Sequence, residues 1–235
     1  MFPILLYNNV MREIIFKIDD KNSGLMIRDF LRNFGVSSAL LTKLKQDENG
    51  IKLNGKFAKA IEVLKSGDNL TINIKNSGKM PEKFECENVK VAYNDEDILV
   101  LNKPPLMPVH ESRNHRGDTL ANVAACYMES DCAFRAVYRL DRDTSGLVLI
   151  AKNELAASKL AGKIKKDYYA VVSGKFEGRG TIDLPIRRVQ ESIIERGVFD
   201  DGERAITHYE AIKTDGENTL LKLSLETGRT HQIRV

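Results

Sequence analysis

The feature that most constrains this chain is a charged loop that runs directly into an uncharged segment. Residues 138–146 read Tyr-Arg-Leu-Asp-Arg-Asp-Thr-Ser-Gly, and residues 146–151 carry no charge. The uncharged run predicts a strand covered on both faces, and the Thr-Ser-Gly before it is typical of a turn. We therefore expect Asp141 on a loop that is fixed by a rigid core. Arg139 and Arg142 would keep its carboxylate ionised and would attract phosphates, which predicts an anionic substrate.

On its own, an Arg-x-Asp-Arg tetrapeptide is more often a structural ion pair at a strand end. The full nine residues, however, closely resemble the signature of the RluA-type pseudouridine synthases, which usually reads His-Arg-Leu-Asp-x-x-Thr-Ser-Gly-Leu. Tyr138 stands where most members have His. The resemblance implies that Asp141 is the catalytic residue and that Arg139 binds the substrate.

Further motifs of the same family follow in the same order along the chain. Residues 98–110 are similar to the strand and turn "NKPxG…VH", although Leu106 replaces the glycine, which predicts a differently shaped loop. Residues 181–186 are similar to "G-x-I-x-x-P-I", and residues 205–209 to "A-x-T-x-Y". Several motifs in the correct order are stronger support for the resemblance than one motif alone.

Two more motifs imply substrate-binding residues. Residues 166–174 resemble the strand "K-x-Y-x-A-x-V-x-G", which implies that Tyr168 is the active-site tyrosine, while Tyr169 should point to the opposite face. Taken alone, Tyr168 would more often be a packing residue of a strand. The last nine residues read as the motif TGRTHQIRV, whose first arginine, here Arg229, is implied to pair with Asp141.

The implied reaction cleaves the bond from ribose C1′ to N1 of uracil and rejoins the base through C5. The uracil anion is stabilised by its own carbonyls, so one carboxylate can suffice where glycoside hydrolases commonly need two. Asp141 would act either as a nucleophile or as a base on the sugar, and the sequence leaves both routes open. The uridine must leave the RNA stack and would then lie on the ring of Tyr168.

The sequence contains no motif for a cofactor or a metal. It has no G-x-x-x-x-G-K-[ST], no G-x-G-x-x-G after a strand, and no Cys or His cluster with zinc spacing. We expect no cofactor, no metal and no membrane segment, and we expect a monomer. Three irregularly placed cysteines disfavour a disulfide framework and predict a cytoplasmic protein: Cys86, Cys126 and Cys132.

Positive charge is concentrated in the N-terminal third of the chain. Residues 12–83 hold 14 Lys and Arg against 9 Asp and Glu, a balance of +5, while the whole chain has a formal charge of +3. This distribution predicts a surface that steers a polyanion such as RNA toward the molecule. A merely solvated basic face is the alternative.

The same segment has its own pattern of helices and strands. Ser23 is predicted to cap a helix that ends at Gly35, residues 38–46 should form a second helix, and an Asn-Gly turn within residues 51–57 predicts a hairpin. Leu70, Ile72 and Ile74 predict a further strand. The pattern resembles the S4-like RNA-binding domain, which often precedes RluA-type catalytic domains. That resemblance implies four RNA-binding candidates: Arg28, Arg32, Lys43 and Lys45.

We therefore predict an α+β protein with a bent, mainly antiparallel mixed sheet, flanking helices and a small S4-like module. The predicted domains are residues 12–75 for this module, 76–88 for a linker and 89–235 for the catalytic domain. Met11 is a better start than Met1, and the catalytic domain is expected to be truncated at Val235, where the family normally continues.

The predicted function is pseudouridine synthesis in RNA, with large-subunit ribosomal RNA as the expected substrate and transfer RNA as the nearest alternative. A catalytically silent RNA-binding or ribosome-assembly factor remains a second class. A nucleoside hydrolase-like glycosidase is a third, but it should carry a second carboxylate or a metal site.

Overall fold

A computed structural model describes residues 4–8, 11–75, 78–128, 132–190, 192 and 195–235. The chain divides into two compact units, Met1–Lys163 and Ile164–Val235, and each is described by itself. Unit 1 contains the N-terminal module, which we define as residues 12–75, and a three-stranded sheet.

The N-terminal module is built on an antiparallel sheet with the strand order β1-β2-β5-β3-β4, to which β1 and Met11 contribute from outside the module. The strands are β1 (Ile4–Asn8), β2 (Met11–Lys17), β3 (Ile51–Leu53), β4 (Lys56–Phe57) and β5 (Asn69–Lys75). Two helices, α1 (Ile27–Phe34) and α2 (Ser38–Gln46), contribute to the same buried core. The order helix, helix, hairpin, strand is the one predicted from the sequence.

Local sequence explains these elements. Leu70, Ile72 and Ile74 of β5 are at most 1% exposed and lie in the core, as their alternation predicts. Asn54 and Gly55 both have positive φ angles, 52° and 79°, which is the backbone that an Asn-Gly hairpin turn requires.

The predicted start of helix α1 was wrong. Its N-cap is Met26, whose side chain makes no capping hydrogen bond, and Ser23 lies in the preceding turn. The amide of Ile27 instead donates to the carbonyl of Glu62 at 2.9 Å. A backbone contact from another segment thus satisfies a free N–H group at the helix start, so a capping side chain is not needed. The helix ends at Gly35, with φ 107°, as predicted.

The second sheet of unit 1 has the order β6-β7-β8 and is antiparallel: β6 (Lys90–Asn94), β7 (Ile98–Lys103) and β8 (Gly146–Ala151). Helix α3 (Leu120–Ala124) and helix α4 (Glu154–Leu160) follow β7 and β8 in the chain. The prediction that β8 is covered on both faces was wrong. Val148 and Ile150 are fully buried, but Leu147 is 53% exposed because the core of this sheet lies on one face only.

The predicted linker packs against this second core. Met80 and Cys86 contact the buried cluster of the β6-β7-β8 sheet, and the side-chain amide of Asn122 donates to the carbonyl of Glu82 at 2.9 Å. Residues 76 and 77 lie outside the described residues. The domain boundaries at residues 75 and 89 stay predictions.

Unit 2 is a five-stranded antiparallel sheet with the order β11-β10-β12-β13-β9. Its strands are β9 (Asp167–Ser173), β10 (Arg179–Arg188), β11 (Arg196–Val198), β12 (Glu203–Thr214) and β13 (Asn218–Leu225). Every pairing among the described strands is antiparallel, which confirms an α+β fold with antiparallel sheets but shows no parallel pair there. Within the described part of the chain, no helix is long and apolar enough to span a membrane.

Candidate functional site

A fully buried lysine joins two loops at the end of strand β7. The ammonium of Lys103 donates hydrogen bonds to the carbonyls of Pro104 at 2.9 Å, Met107 at 2.8 Å and Arg142 at 2.9 Å. Its side chain is 0% exposed. An ammonium has three protons, so these three carbonyls saturate it. Lys103 therefore fixes the loop that carries Asp141 to the turn after β7.

The burial of Lys103 has an electrostatic consequence. Loss of hydration lowers the pKa of Lys103 from 10.5 to about 8, although the charges of Asp143 and Asp141 act in the opposite direction. The carboxylate of Asp141 therefore lies in the positive field of a buried ammonium.

Asp141 is half-buried, and its carbonyl accepts a hydrogen bond from the amide of Thr144 at 3.1 Å, which closes a turn. Arg142, which follows Asp141 in the chain, pairs with Asp143 instead: its Nε lies 2.8 Å from Oδ1 of Asp143. Among the described residues of unit 1, the Asp141 carboxylate makes no hydrogen bond or ion pair of its own. It is thus placed to engage a ligand.

Tyr138 at the start of this loop is half-buried, and His110 faces the charge of Arg139. The hydroxyl of Tyr138 donates to the carbonyl of Leu147 at 3.0 Å, and burial raises the pKa of Tyr138. The ring of His110 meets the ring of Phe134 edge to face, with 5.1 Å between their centres. Burial, and then the charge of Arg139, lower the pKa of His110. His110 is therefore favoured in its neutral form beside Arg139.

In unit 2, the structure separates the two adjacent tyrosines of strand β9. Tyr169 is 64% exposed, whereas Tyr168 is half-buried on the other face, as the alternation predicts. Tyr168 stands opposite Leu223 of β13, and Leu223 stands opposite Tyr209 of β12. Directly opposite residues of antiparallel strands share a face, so Tyr168 and Tyr209 lie on the same face of this sheet.

The loop that carries Arg229 is held by a buried glutamine. Oε1 of Gln232 accepts from the amide of Arg229 at 2.9 Å and from the hydroxyl of Thr227 at 3.0 Å. Its Nε2 donates to the carbonyl of Ile206 and to the hydroxyl of Thr207, both at 3.0 Å. Gln232 is 8% exposed. One side chain therefore makes two hydrogen bonds within the loop and two that fix it to strand β12.

The guanidinium of Arg229 makes its own contacts within unit 2. Nη1 lies 2.5 Å from a carboxylate oxygen of Glu203, and Nε donates to the carbonyl of Arg204 at 3.0 Å. The pairing of Arg229 with Asp141, which the family resemblance implies, stays a prediction.

The four RNA-binding candidates lie on helices α1 and α2 of the N-terminal module. Arg28, Arg32, Lys43 and Lys45 are all exposed. Lys43 also pairs with Glu154 of helix α4 at 2.6 Å, so part of its charge is neutralised within unit 1. Arg28 lies 3.5 Å from Asp29, a looser ion pair. Within the described part of the chain, neither Arg32 nor Lys45 forms an ion pair, and the RNA-binding role of all four residues stays a prediction.

Comparisons with known proteins agree with the motifs around these residues. The family model described as RNA pseudouridylate synthase matches residues 97–235, which include the Asp141 loop, Lys103, Tyr168 and Arg229. The uncharacterized RNA pseudouridine synthase YjbO of Bacillus subtilis is 37% identical over 227 residues, covering 90% of this chain and 78% of that protein. The chain belongs to the RNA pseudouridylate synthase family. It is accordingly a pseudouridine synthase, an isomerase.

A further curated relative and a solved structure show how much of a related protein this chain covers. The ribosomal large subunit pseudouridine synthase D of Buchnera aphidicola is 41% identical over 180 residues, which cover 71% of this chain and 55% of that protein. Human RNA pseudouridylate synthase domain containing 1 is a solved structure that matches with a TM-score of 0.51 and 26% identity, over 66% of each chain. The chain thus spans between about half and about four fifths of the length of such curated relatives.

The motifs predict roles for Asp141, Arg139, Tyr168 and Arg229, but none was predicted for the two buried polar side chains that hold the Asp141 and Arg229 loops, Lys103 and Gln232. For Lys103 a signal exists, because Leu99, Leu101 and Lys103 alternate along β7 and all three are 0% exposed. A lysine on the buried face of a strand indicates a specific set of acceptors. For Gln232 no comparable periodicity exists, because it lies in a loop.

Proposed function

We propose that this pseudouridine synthase isomerises specific uridines in structured RNA, with large-subunit ribosomal RNA as the substrate. The observation that carries the proposal is the half-buried Asp141 carboxylate, which pairs with no described residue of unit 1 and is held on a loop that Lys103 fixes. Several relatives are named ribosomal large subunit pseudouridine synthase D, which supports this substrate class.

In the proposed reaction, Asp141 acts on the ribose of a uridine that has left its stack. Either its carboxylate attacks C1′ as N1 departs, or it removes a proton from the sugar before the bond to N1 breaks. The base then turns and bonds through C5, and the C5 proton is removed at the end. Tyr168 is proposed to stack on the base, while Arg229 and Arg139 are proposed to bind the substrate.

The N-terminal module is proposed to be an S4-like RNA-binding domain. Its support is the order of two helices, a hairpin and a strand, together with the charge balance of +5 over residues 12–83. The side chains of Arg32 and Lys45 would contact RNA phosphates, which position the RNA but do not read its sequence. Cys86 and Cys126 are free thiols, which supports the cytoplasm as the compartment.

The test is a map of pseudouridines in ribosomal and transfer RNA from cells with and without the gene. The proposal expects one or a few ribosomal positions to lose pseudouridine on deletion and to regain it with the wild-type gene but not with Asp141→Asn. Asp143→Asn is the matched control, because this neighbouring carboxylate pairs with Arg142, and it should restore the modification. Loss confined to transfer RNA would assign that substrate instead. No loss in either RNA would favour an RNA-binding factor without catalysis.

A further inference from the structure

One face of helix α4 is embedded in the N-terminal module. Leu155 is 3% exposed and belongs to the module's buried core. The hydroxyl of Ser158 donates to the carbonyl of Gly35 at 2.7 Å, and the ammonium of Lys159 lies 3.6 Å above the ring of Phe34. A side chain at position 35 would collide with Lys159, since its Cβ would come within 2.9 Å of that lysine. The close approach of α4 therefore depends on this glycine.

A half-buried ion pair reinforces the same interface. Both guanidinium nitrogens of Arg12, on strand β2, contact the two carboxylate oxygens of Asp97, which immediately precedes strand β7. Arg12 is 5% exposed. Asn153 donates to Asp97 at 2.7 Å, and its oxygen caps helix α4 through the amide of Ala156 at 2.9 Å. The module, strand β7 and helix α4 are thus joined through a single hydrogen-bonded network.

This network lies close in sequence to the catalytic loop. The loop that carries Asp141 leads directly into strand β8, and β8 leads through two residues into α4. Strand β8 also pairs with β7 along its whole length, from Gly146 to Ala151. No flexible segment therefore separates the docked face of α4 from the Asp141 loop.

We propose that the N-terminal module is fixed rigidly to strand β7 and helix α4 through the contact of Arg12 with Asp97, and that it acts as a ruler that selects the uridine. RNA held by the module would place at Asp141 only a uridine at one distance from the bound segment. The inference rests on the proposed function, and it assigns Arg12 and Asp97 as positioning residues outside the reaction itself. A module on a free tether would instead raise the local RNA concentration without selecting one uridine.

The test compares two RNAs. The first is a ribosomal RNA fragment that carries the mapped uridine with its flanking helices, and the second is a minimal stem-loop with that uridine alone. Arg12→Ala should lower kcat/KM on the long fragment by about tenfold and spread modification to neighbouring uridines, because loss of rigid placement misaligns the target. The rate on the minimal stem-loop should stay at the wild-type value.

Asp97→Ala should have the same effect, and the double variant should be no worse than either single variant, since the two residues act as a unit. Lys175→Ala, which removes the same charge from an exposed ion pair with Glu177, is the control and should leave selectivity unchanged. Ser158→Ala, a milder change in the same interface, keeps the test usable should Arg12→Ala fail to fold. Selectivity unchanged in folded Arg12→Ala, Asp97→Ala and Ser158→Ala proteins would overturn the ruler.

Hydrogen exchange tests the rigid docking independently of the proposed function, because the measurement does not require the protein to be catalytically active. In the wild-type protein, the amides of α4 should open together with those of the module core. Arg12→Ala should speed exchange in α4 by about tenfold or more and leave helix α3 unchanged. Independent opening of α4 and the module would overturn the inference even in an active enzyme. An inactive wild-type protein with joint opening would overturn the proposed function and retain the rigid docking.

Discussion

The Asp141 loop in unit 1 and the Arg229 loop in unit 2 are each held by one buried polar side chain, but the two side chains differ in charge. Lys103 offers three donors to three carbonyls. Gln232 offers two donors and accepts two hydrogen bonds, and it remains neutral. The buried ammonium loses far more hydration than the buried amide, and its charge acts on Asp141 nearby.

The difference teaches what each loop requires. A neutral amide is sufficient to shape a loop whose functional group is already a permanent cation, as in Arg229. The Asp141 loop is held instead by a buried ammonium, whose own pKa is lowered by burial and which donates all three hydrogen bonds only while it is charged. The unit 1 loop should therefore depend on pH and on the charge of its supporting residue, and the unit 2 loop should not.

The largest effect in this comparison is expected for Lys103→Met. Methionine fills similar space but releases the carbonyl of Arg142, so the Asp141 loop should shift, and a displacement of about 1 Å can cost about 10²-fold in rate. The single-turnover rate on the mapped RNA fragment measures the chemical step separately from product release. Lys90→Met, an exposed lysine on strand β6, is the control. A wild-type rate for Lys103→Met would show that the loop does not need this support.

Gln232→Leu should act mainly on stability. It leaves the amide of Arg229 and the hydroxyl of Thr207 without the partner that Gln232 supplies, and the carbonyl of Ile206 keeps only its hydrogen bond from the amide of Glu226. We expect the free energy of unfolding to fall by about 2 to 3 kcal/mol. Urea denaturation measures this change. Gln190→Leu, at an exposed glutamine in the same unit, should change it by less than about 0.5 kcal/mol. Equal stability of the two variants would contradict the role assigned to Gln232.

The pH dependence of stability should distinguish Lys103 from Gln232. Because the pKa of Lys103 falls from 10.5 to about 8 on folding, the unfolded chain binds more protons than the folded chain between these values. The free energy of unfolding should gain up to ~1.4 kcal/mol per pH unit from this residue across that window, and below it the charged lysine destabilises the fold. Lys103→Met should lack this gain, while Lys90→Met and Gln232→Leu should keep it. Parallel profiles for all of these proteins would show that Lys103 is not strained by burial.

The smallest effect concerns the turn that Lys103 holds. Leu106 is 70% exposed and has a φ of 65°, a left-handed backbone that glycine adopts without strain. Leu106→Gly should therefore stabilise the protein by roughly 1 kcal/mol and leave the rate unchanged. Thermal unfolding provides the measurement, and Leu147→Gly, at an exposed leucine within strand β8, should destabilise instead. A lower melting temperature for Leu106→Gly would show that the left-handed backbone at Leu106 does not strain the protein.

Much of this molecule could be predicted from the sequence because the signals are local. The Asn-Gly hairpin, Gly35 at the end of helix α1 and the alternation of Tyr168 and Tyr169 each follow from short-range rules. The helix start at Ile27, the exposure of Leu147 and the roles of Lys103 and Gln232 depend on partners far away in the chain. Arg12 contacts Asp97 across 85 residues, and no local pattern predicts such a pair.

The most direct test of the central claim is the single-turnover rate of Asp141→Asn on the mapped RNA fragment, measured beside its RNA affinity. Asparagine keeps the size of the side chain but can act neither as a nucleophile nor as a base, so the account predicts a loss of about 10⁴-fold or more. RNA affinity should stay within about threefold of wild type, because phosphate contacts supply most of it. Isomerisation at a rate near wild type by Asp141→Asn would contradict the account.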